Sequence, residues 1–466
     1  MAVPTVPQTL PEEQATPATR IRTQIRRFFQ ATGRPLFALV LAMLVGGIVI
    51  MITSPGSPID RFNEAITAYQ ALFDGAFGNL SNLSVTLVTA TPLILTGLSV
   101  AIAFRAGLFN IGAAGQLAVG GMTAGIIGLT FASWSGWILI PLMLIASMLA
   151  GAVWGGIVGI LKAWRGAHEV VTTIMLNFVA FGLTDYLING PFQGKHVVNQ
   201  TGQLPHQATL PHIADFYNST LGTFLPQISQ PNQYLVDVGF FFALLALVVY
   251  WFITARTTFG YELRVIGKNP GAARYAGIPI KRNIFFTMAL AGAFSGLAGA
   301  LQLMGQVPYQ LIAYTYATQT TGFDAIGVAL LGRMTSIGVL LGALLFGGLR
   351  QGGNEMGLVA NVPGDLVFII QAIVLFCIAA EFLPVVQTFW KRATPALQRS
   401  RSSKPALDSA SDIAVEPLPK RDNSVAEPAQ TGQTGVRPLT SEQEHEEERV
   451  QSISTDAASS KQEEVS

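Results

Sequence analysis

Charge is scarce in this sequence. Asp, Glu, Lys and Arg make up 12% of its 466 residues, while 50% are hydrophobic. A soluble chain carries about twice that density of charge, so the two or three soluble domains that length alone allows are excluded. Cysteine is nearly absent. The single Cys377 rules out an internal disulfide, and its place in an apolar run marks it as a packing residue. A nucleotide-binding loop is missing too. The pattern G-x-x-x-x-G-K-[ST] needs a hydroxyl after its lysine, but Lys195 is followed by His196 and Lys268 by Asn269. The histidines lack ligand spacing: His196, His206 and His212 share one loop, and His168 and His445 stand apart. No Ser/His/Asp arrangement is present. With these absences the chain does not read as an enzyme by itself. The net charge of +1 carries no partner information, because the charges are segregated into loops and a tail; no nucleic-acid partner is expected.

What the sequence does have is long apolar runs. Many approach or exceed the roughly 20 residues that cross a bilayer core. They predict spans over Pro35–Thr53, Leu83–Phe104, Leu108–Phe131, Trp137–Leu161, Val170–Gly190, Leu235–Ala255, Ile284–Met304 and Pro363–Val386. Residues 1–34 form a basic arm, "RIRTQIRRFFQATGRP" running into the first span. That span is too long for a signal peptide and lacks a clear cleavage site, so it reads as uncleaved. A further stretch, Phe323–Leu349, is broken by "GRMTSIG". Its halves, near ten residues each, are too short to span separately, so it reads as a re-entrant hairpin or a pair of half-helices covered by protein or a wet cavity. The fold class is therefore all-α: a polytopic membrane helix bundle of about eight full spans plus a broken pair, within residues 35–390.

Arginine and lysine set the orientation. Arg20, Arg22, Arg26, Arg27 and Arg34 precede the first span; Arg105, Lys162, Arg165, Arg256, Arg264, Lys268, Arg274, Lys281 and Arg282 fall in alternate loops. The loop 191–234 holds only Lys195, and Gly305–Gly322 has neither basic residue. With the broken stretch as a hairpin entering from outside, the basic loops and both termini are cytoplasmic and 191–234 is external. From about residue 391 the chain is rich in Ser, Glu, Gln, Pro and Ala, with "SEQEHEEERV" as an acidic cluster. Such a composition cannot offset its ordering entropy, which predicts a disordered cytoplasmic tail over 391–466.

A few polar residues stand inside apolar runs. Asn110, Gln116, Asn177 and Gln302 either hydrogen-bond between helices or line a pathway. Asp324 opens the broken stretch, where an acid meets the positive end of a helix dipole; Arg333 at its break pairs with a carboxylate or contacts backbone carbonyls. The glycines and alanines of "GLFNIGAAGQLAVGGMTAGIIG" let helix backbones approach closely. In the basic loop "GYELRVIGKNPGAARYAGIPIKRN", a short turn ends at Gly267. Then Asn269 reads as an N-cap and Pro270 as the first helical position. "GAARYA" gives about one and a half turns, Gly277 supplies the left-handed stop and Pro279 prevents continuation. A compact capped piece between two spans is a rigid lever; the alternative is an amphipathic loop lying on lipid headgroups.

"GKNPGAARYAGIPIKRN" is similar to the coupling segment of ABC-importer permeases of the branched-chain amino acid/simple-sugar superfamily. "FRAGLFNIGAAGQLAVGG", "EVVTTIMLNFVAFGLTDYLINGPF" and "GFDAIGVALLGRMTSIGVLLGALLFGGLRQGG" resemble its nucleoside/simple-sugar (basic membrane protein-linked) branch, over roughly residues 35–390. The resemblance implies a permease subunit that moves a nucleoside or simple sugar inward by alternating access in the cell membrane. It implies a partner ATPase that holds ATP and Mg, a sister permease in a heterodimer, and an extracellular substrate-binding lipoprotein. No cofactor or metal is implied on this chain. Within 256–283 it points to Asn269, Pro270, Ala272, Ala273, Arg274, Tyr275, Ala276 and Gly277 as the residues that meet the ATPase. Branched-chain amino acids remain an alternative solute. An ion-coupled secondary transporter needs mid-membrane carboxylates or histidines, where these spans offer Asn and Gln.

Overall fold

The computed structural model describes residues 39–380, apart from 196, 221, 223, 225, 361, 363 and 364 and the side chains of 377–380. The basic arm, the acidic tail, His196 and the Cys377 side chain lie outside the described residues. The architecture is helical; among the described residues strand-like pairing is limited to three isolated bridges.

In chain order the helices are α1 (Leu39–Thr53), α2 (Pro58–Phe73), α3 (Leu80–Arg105), α4 (Ala113–Thr130), α5 (Gly136–Arg165), α6 (Glu169–Asn189) and α7 (Ile213–Thr220). They continue with α8 (Gly239–Arg256), α9 (Thr258–Lys268), α10 (Pro270–Tyr275), α11 (Ile280–Gly305), α12 (Thr315–Thr318), α13 (Thr321–Leu331), α14 (Ser336–Val359) and α15 (Leu366–Ala380). Among the described residues six helices are long and apolar enough to cross a membrane: α3, α4, α5, α6, α8 and α11. Of the eight spans read from the sequence, the first and last appear as shorter apolar helices, Leu39–Thr53 and Leu366–Phe376; residues 35–38 and 381–386 lie outside the described ones.

The centre of the bundle is α3, α4 and α11. The most apolar window of α3 is 78% buried and that of α11 72%, against 28% for α5 and 33% for α6 and α8. The outer helices therefore turn large apolar side chains such as Trp137, Leu149, Phe178 and Leu245 outward, as a surface solvated by lipid does. Inside, small residues set the spacing. A Cβ at Gly296 of α11 would lie 2.2 Å from the Ser147 carbonyl of α5, and one at Gly299 2.0 Å from the Leu117 carbonyl of α4. Backbones touch there, and dispersion replaces the hydrophobic drive that a bilayer does not supply.

Basic residues mark one end: Arg105 closes α3, Lys162 and Arg165 close α5, Arg256 closes α8 and Lys268 closes α9. The opposite end is covered by the segment 190–238, which carries α7 and two short 3-10 turns.

The broken stretch corrects the sequence reading. Its first half is short, 11 residues in α13, but its second continues through Gly347 and Gly348 to Val359, 24 residues in α14. The break itself, Gly332–Thr335, sits at the basic end, where Arg105 binds the Met334 carbonyl. The irregular backbone lies before α13 instead. Residues 306–320 leave the top of α11 and pass beside α4, with Leu311 against Gly125 and the Tyr316 hydroxyl against Gly121. They carry only the four-residue α12 before the helix resumes at Thr321.

Candidate functional site

The predicted capped helical segment is present. Asn269 caps α10, its Oδ1 accepting from the Ala272 N–H at 3.0 Å, and Pro270 occupies the first position. The Ile278 and Gly277 N–H groups donate to the carbonyls of Ala273 and Arg274, and Gly277 has φ +73°. That is the six-to-one and five-to-two pairing of a Schellman stop. One detail differs: helix α9 runs through Gly267 to Lys268 rather than ending at the glycine.

The capped segment is seated on the bundle by backbone contact. A Cβ at Gly267 would lie 2.3 Å from the Arg105 carbonyl, so only glycine lets α9 meet the end of α3. Asn283 at the start of α11 donates to the Glu262 carboxylate at 2.6 Å, and the Arg264 guanidinium donates to the Thr254 carbonyl. Asn269, Pro270, Ala272, Arg274, Tyr275, Ala276 and Gly277 are exposed; Tyr275 is 96% exposed. Ala273 is the exception. It is fully buried within this chain, so its small size is set by internal packing, not by a groove on another protein.

Next to this seat lies an arrangement that the sequence reading missed. Arg105 donates through Nε to the Tyr250 hydroxyl at 2.9 Å and through Nη2 to the Met334 carbonyl at 2.8 Å; the Tyr250 hydroxyl donates to the same carbonyl at 2.6 Å. Tyr250 is fully buried. Three elements, α3, α8 and the α13–α14 turn, are thus tied at one oxygen. The turn needs the tie, since Arg333 and Met334 both have positive φ, 48° and 58°, a conformation that costs L-residues about 1–2 kcal/mol each. Arg333 takes neither role read for it: it is exposed and has no partner among the described residues, while Arg105 makes the carbonyl contact.

The buried amides fall into two groups. Asn110 donates to Ser99 Oγ and to Gln116 Oε1, both at 3.0 Å, and Gln116 returns a bond to Asn110. Asn177 on α6 donates to the Ile111 carbonyl and accepts from the Gly115 N–H at 2.8 Å. All three are at most 2% exposed. They fasten the turn between α3 and α4 to its neighbours. Gln302 differs. Its Nε2 donates to Gln319 Oε1 at 2.9 Å, while its own Oε1 is buried without a partner.

Gln319 introduces the start of α13. Thr320 there makes no side-chain cap; its hydroxyl donates instead to Asp324 Oδ2 at 2.7 Å. Asp324 lies in the first turn, as read from the sequence, but accepts from that hydroxyl and from no backbone N–H. Arg350 of α14 reaches across to donate to Thr321 Oγ1 at 3.2 Å. An arginine within the apolar stretch "LLFGGLRQGG" was the signal for it. Among the described residues no group of three or more His, Cys, Asp or Glu side chains is placed to hold a metal.

Comparison with known proteins bears on what such a bundle does. Residues 82–379 match the family model described as branched-chain amino acid transport system / permease component. The chain is similar to the guanosine ABC transporter permease protein NupP of Bacillus subtilis, with 38% identity over 348 residues, 75% of this chain and 93% of that protein. It is 35% identical to the nucleoside ABC transporter permease protein NupB of Lactococcus lactis, covering 75% of this chain and 91% of that one. Identity is also 35% to the glucose ABC transporter permease protein TsgB13 of Haloferax volcanii, covering 76% and 88%. No solved structure matches the chain.

Proposed function

The chain belongs to the branched-chain amino acid transport permease family, and from that premise we propose that it is the membrane permease of an ATP-driven importer of nucleosides. The observation that carries the solute class is the 38% identity to a guanosine permease over 93% of that protein's length. The similarity to a glucose permease makes simple sugars the second reading. As in any permease of this kind, the chain is a transport subunit and not an enzyme.

In the proposed complex a separate ATPase holds ATP and Mg and receives the exposed face of α10, from Asn269 to Gly277. A second permease completes the translocation unit; guanosine and nucleoside permeases occur among the relatives as two similar proteins in one organism, NupP with NupQ and NupB with NupC. A binding lipoprotein delivers solute to the low-charge segment 191–234. The basic ends of α3, α5, α8 and α9 face the cytoplasm, following the excess of arginine and lysine.

The same proposal extends the count of crossings. Helix α14 has 24 residues, rising about 36 Å. It leads from the basic end to Glu355 beside Gly75. Residues 306–331 then cross as half irregular chain and half α13, and α1 and α15 are the first and last crossings. Both termini are cytoplasmic in this arrangement.

The test is uptake of radiolabelled guanosine into vesicles holding this chain with its ATPase, sister permease and binding protein. Saturable, ATP-dependent accumulation competed by other nucleosides and not by leucine is the expected result. Uptake driven by an ion gradient without ATP would sink the mechanism, and competition by glucose alone would move the solute to the second reading.

A further inference from the structure

Gln302, Gln319, Thr320, Asp324 and Arg350 come from three elements and the irregular segment between them, yet they join at one point. The links are the Gln302–Gln319 amide pair, the Thr320–Asp324 bond and the Arg350 contact to the residue following Thr320. The point is where irregular backbone gives way to α13. Its depth follows from the other end of that helix. The turn after Leu331 is pinned to the basic end by Arg105, and Asp324 lies seven residues, about 10 Å, above Leu331. In a hydrocarbon core of about 30 Å that places the carboxylate about a third of the way across, within the hydrocarbon.

A carboxylate and a guanidinium within the hydrocarbon are each costly, about 2.5–3.5 kcal/mol or more at its centre, unless they face protein or water. Their own partners are few. Asp324 has one hydrogen bond and Arg350 one, and among the described residues neither has an ion pair. The second carboxylate oxygen, most of the guanidinium N–H groups and the buried Gln302 Oε1 are left over. Just before them, Thr315 and Thr318 are exposed although the neighbouring Tyr316 packs on α4, and Phe323 is 43% exposed. Irregular backbone with exposed hydroxyls at membrane depth is tolerated where it lines a wet cavity. Discontinuous helices whose N-termini meet at such a cavity are where transporters hold their solutes.

We propose that Asp324, Arg350 and Gln302 form the solute-binding site of this permease, taking an uncharged molecule rich in hydroxyls and ring-edge hydrogen-bonding groups, as a nucleoside is. The solute class rests on the function proposed above. The two formal charges cancel, so the site favours neither anions nor cations. The carboxylate and the Gln302 oxygen accept from sugar hydroxyls, and the guanidinium donates to a ring carbonyl or nitrogen.

The experiment uses the full complex in vesicles and measures solute moved per ATP hydrolysed with saturating, guanosine-loaded binding protein. Asp324→Asn and Gln302→Ala are compared with the unaltered chain, for guanosine and for 2′-deoxyguanosine. Each variant is expected to lower the ratio at least fivefold. Asp324→Asn is also expected to narrow the preference for the ribonucleoside, because the lost acceptor no longer reads the hydroxyl. Loss of a merely structural contact lowers transport and hydrolysis together and leaves ratio and preference unchanged; that result for both variants overturns the site. Gln302→Ala is on α11 and leaves every residue of α13 unaltered, so its outcome stands if Asp324→Asn fails to assemble. The unaltered complex separates the two ideas: glucose uptake in place of guanosine changes the proposed function, while the ratio measured with glucose still tests the site.

Discussion

Two of the interruptions between long helices, Thr257–Pro279 and Gln306–Thr335, are held in different ways. In the first, the bonds that stop and restart the helices are local. Thr257 caps α9 by accepting from the Gly260 N–H at 3.1 Å, Asn269 caps α10, and the Schellman bonds at Gly277 span at most five residues. In the second, the bonds come from far along the sequence. Asp185 of α6 accepts from the Tyr314 N–H at 2.7 Å, and Asn199 and Leu204 pair with Ala313 and Tyr309. The difference follows from solvent. At the basic end water satisfies whatever a cap leaves open, so a few residues suffice. At membrane depth every open backbone group needs a protein partner or a wet cavity, and distant segments must supply it.

The sharpest way to break this comparison is to substitute one glycine in each interruption. A Cβ at Gly322 would lie 2.3 Å from the Ala114 Cα and 2.5 Å from its N and Cβ. These are backbone atoms of α4 and cannot swing aside. Gly322→Val is expected to abolish recovery of monodisperse permease in size-exclusion chromatography. Recovery at the level of the unaltered protein would mean that the second interruption is not fixed by tertiary packing.

A smaller effect belongs to the tie at Met334. Arg105→Ala removes two charge-assisted hydrogen bonds, about 3 kcal/mol in all, and frees a strained turn. Tyr250→Phe removes the neutral bond to that carbonyl and the bond its hydroxyl accepts from Arg105, about 2.5 kcal/mol in all. Because one of these bonds joins the two side chains and is lost in either single variant, the double variant should cost less than the sum. Thermal midpoints in detergent check the order, and additive losses would show that the two side chains act separately.

How far the sequence could be read follows the same division. Asn269, Pro270 and Gly277 announce their roles because capping is a matter of neighbours, and the six long spans are legible because crossing a bilayer needs an unbroken apolar run. The irregular segment 306–320 carries no comparable signal. Its partners Asp185, Asn199 and His212 lie on other elements, and nothing in the spacing of Arg105 predicts that it closes on Tyr250, 145 positions away. Asn110, Gln116 and Asn177 were visible as polar residues in apolar runs; only their geometry separates the saturated amides from Gln302.

The upper anchor of the second interruption gives a pH dependence. Asp237 is 3% exposed, its Oδ1 accepts from the Gly239 N–H at 2.6 Å, and it faces Gly305 at the end of α11. Nearby, the Tyr309 hydroxyl meets His212 Nε2 at 3.1 Å, with Asp215 the other charge close to Tyr309. Burial pushes the Asp237 carboxyl up to about 6, opposed by the Gly239 N–H and by His212. A raised folded-state value favours the neutral acid, so this contribution to stability is complete below about pH 4 and lost as pH rises through about 6. Asp237→Asn keeps an acceptor and discards the charge. It is expected to raise the thermal midpoint at pH 7.5, by an amount worth on the order of 2 kcal/mol, and to change little at pH 4.5. An equal gain at both values would rule out titration of this carboxyl as the cause.

The smallest effect on the fold is expected where the bonds are local. Gly277 has φ +73° and open space around it, since nothing lies within 4 Å of an added Cβ. Gly277→Val therefore meets no steric wall, only the left-handed strain of about 1–2 kcal/mol. Asn269→Ala gives up one cap, about 1 kcal/mol. Either amount is confined to α10, six residues with one buried side chain, Ala273. The local end of the capped segment can open without disturbing α3, α4 or α11, because α9 remains seated on Arg105 through Gly267. Both variants are thus expected to insert and purify like the unaltered chain, with thermal midpoints within about 2 °C. If α10 is the docking face, uptake falls in spite of that, and it falls more for Gly277→Val because the stop sets where Ile278 and Pro279 leave toward α11. A midpoint loss in Gly277→Val as severe as that of Gly322→Val would erase the distinction between a locally held interruption and a tertiary one. Unchanged uptake in both variants would instead leave the distinction intact and remove α10 from the coupling route.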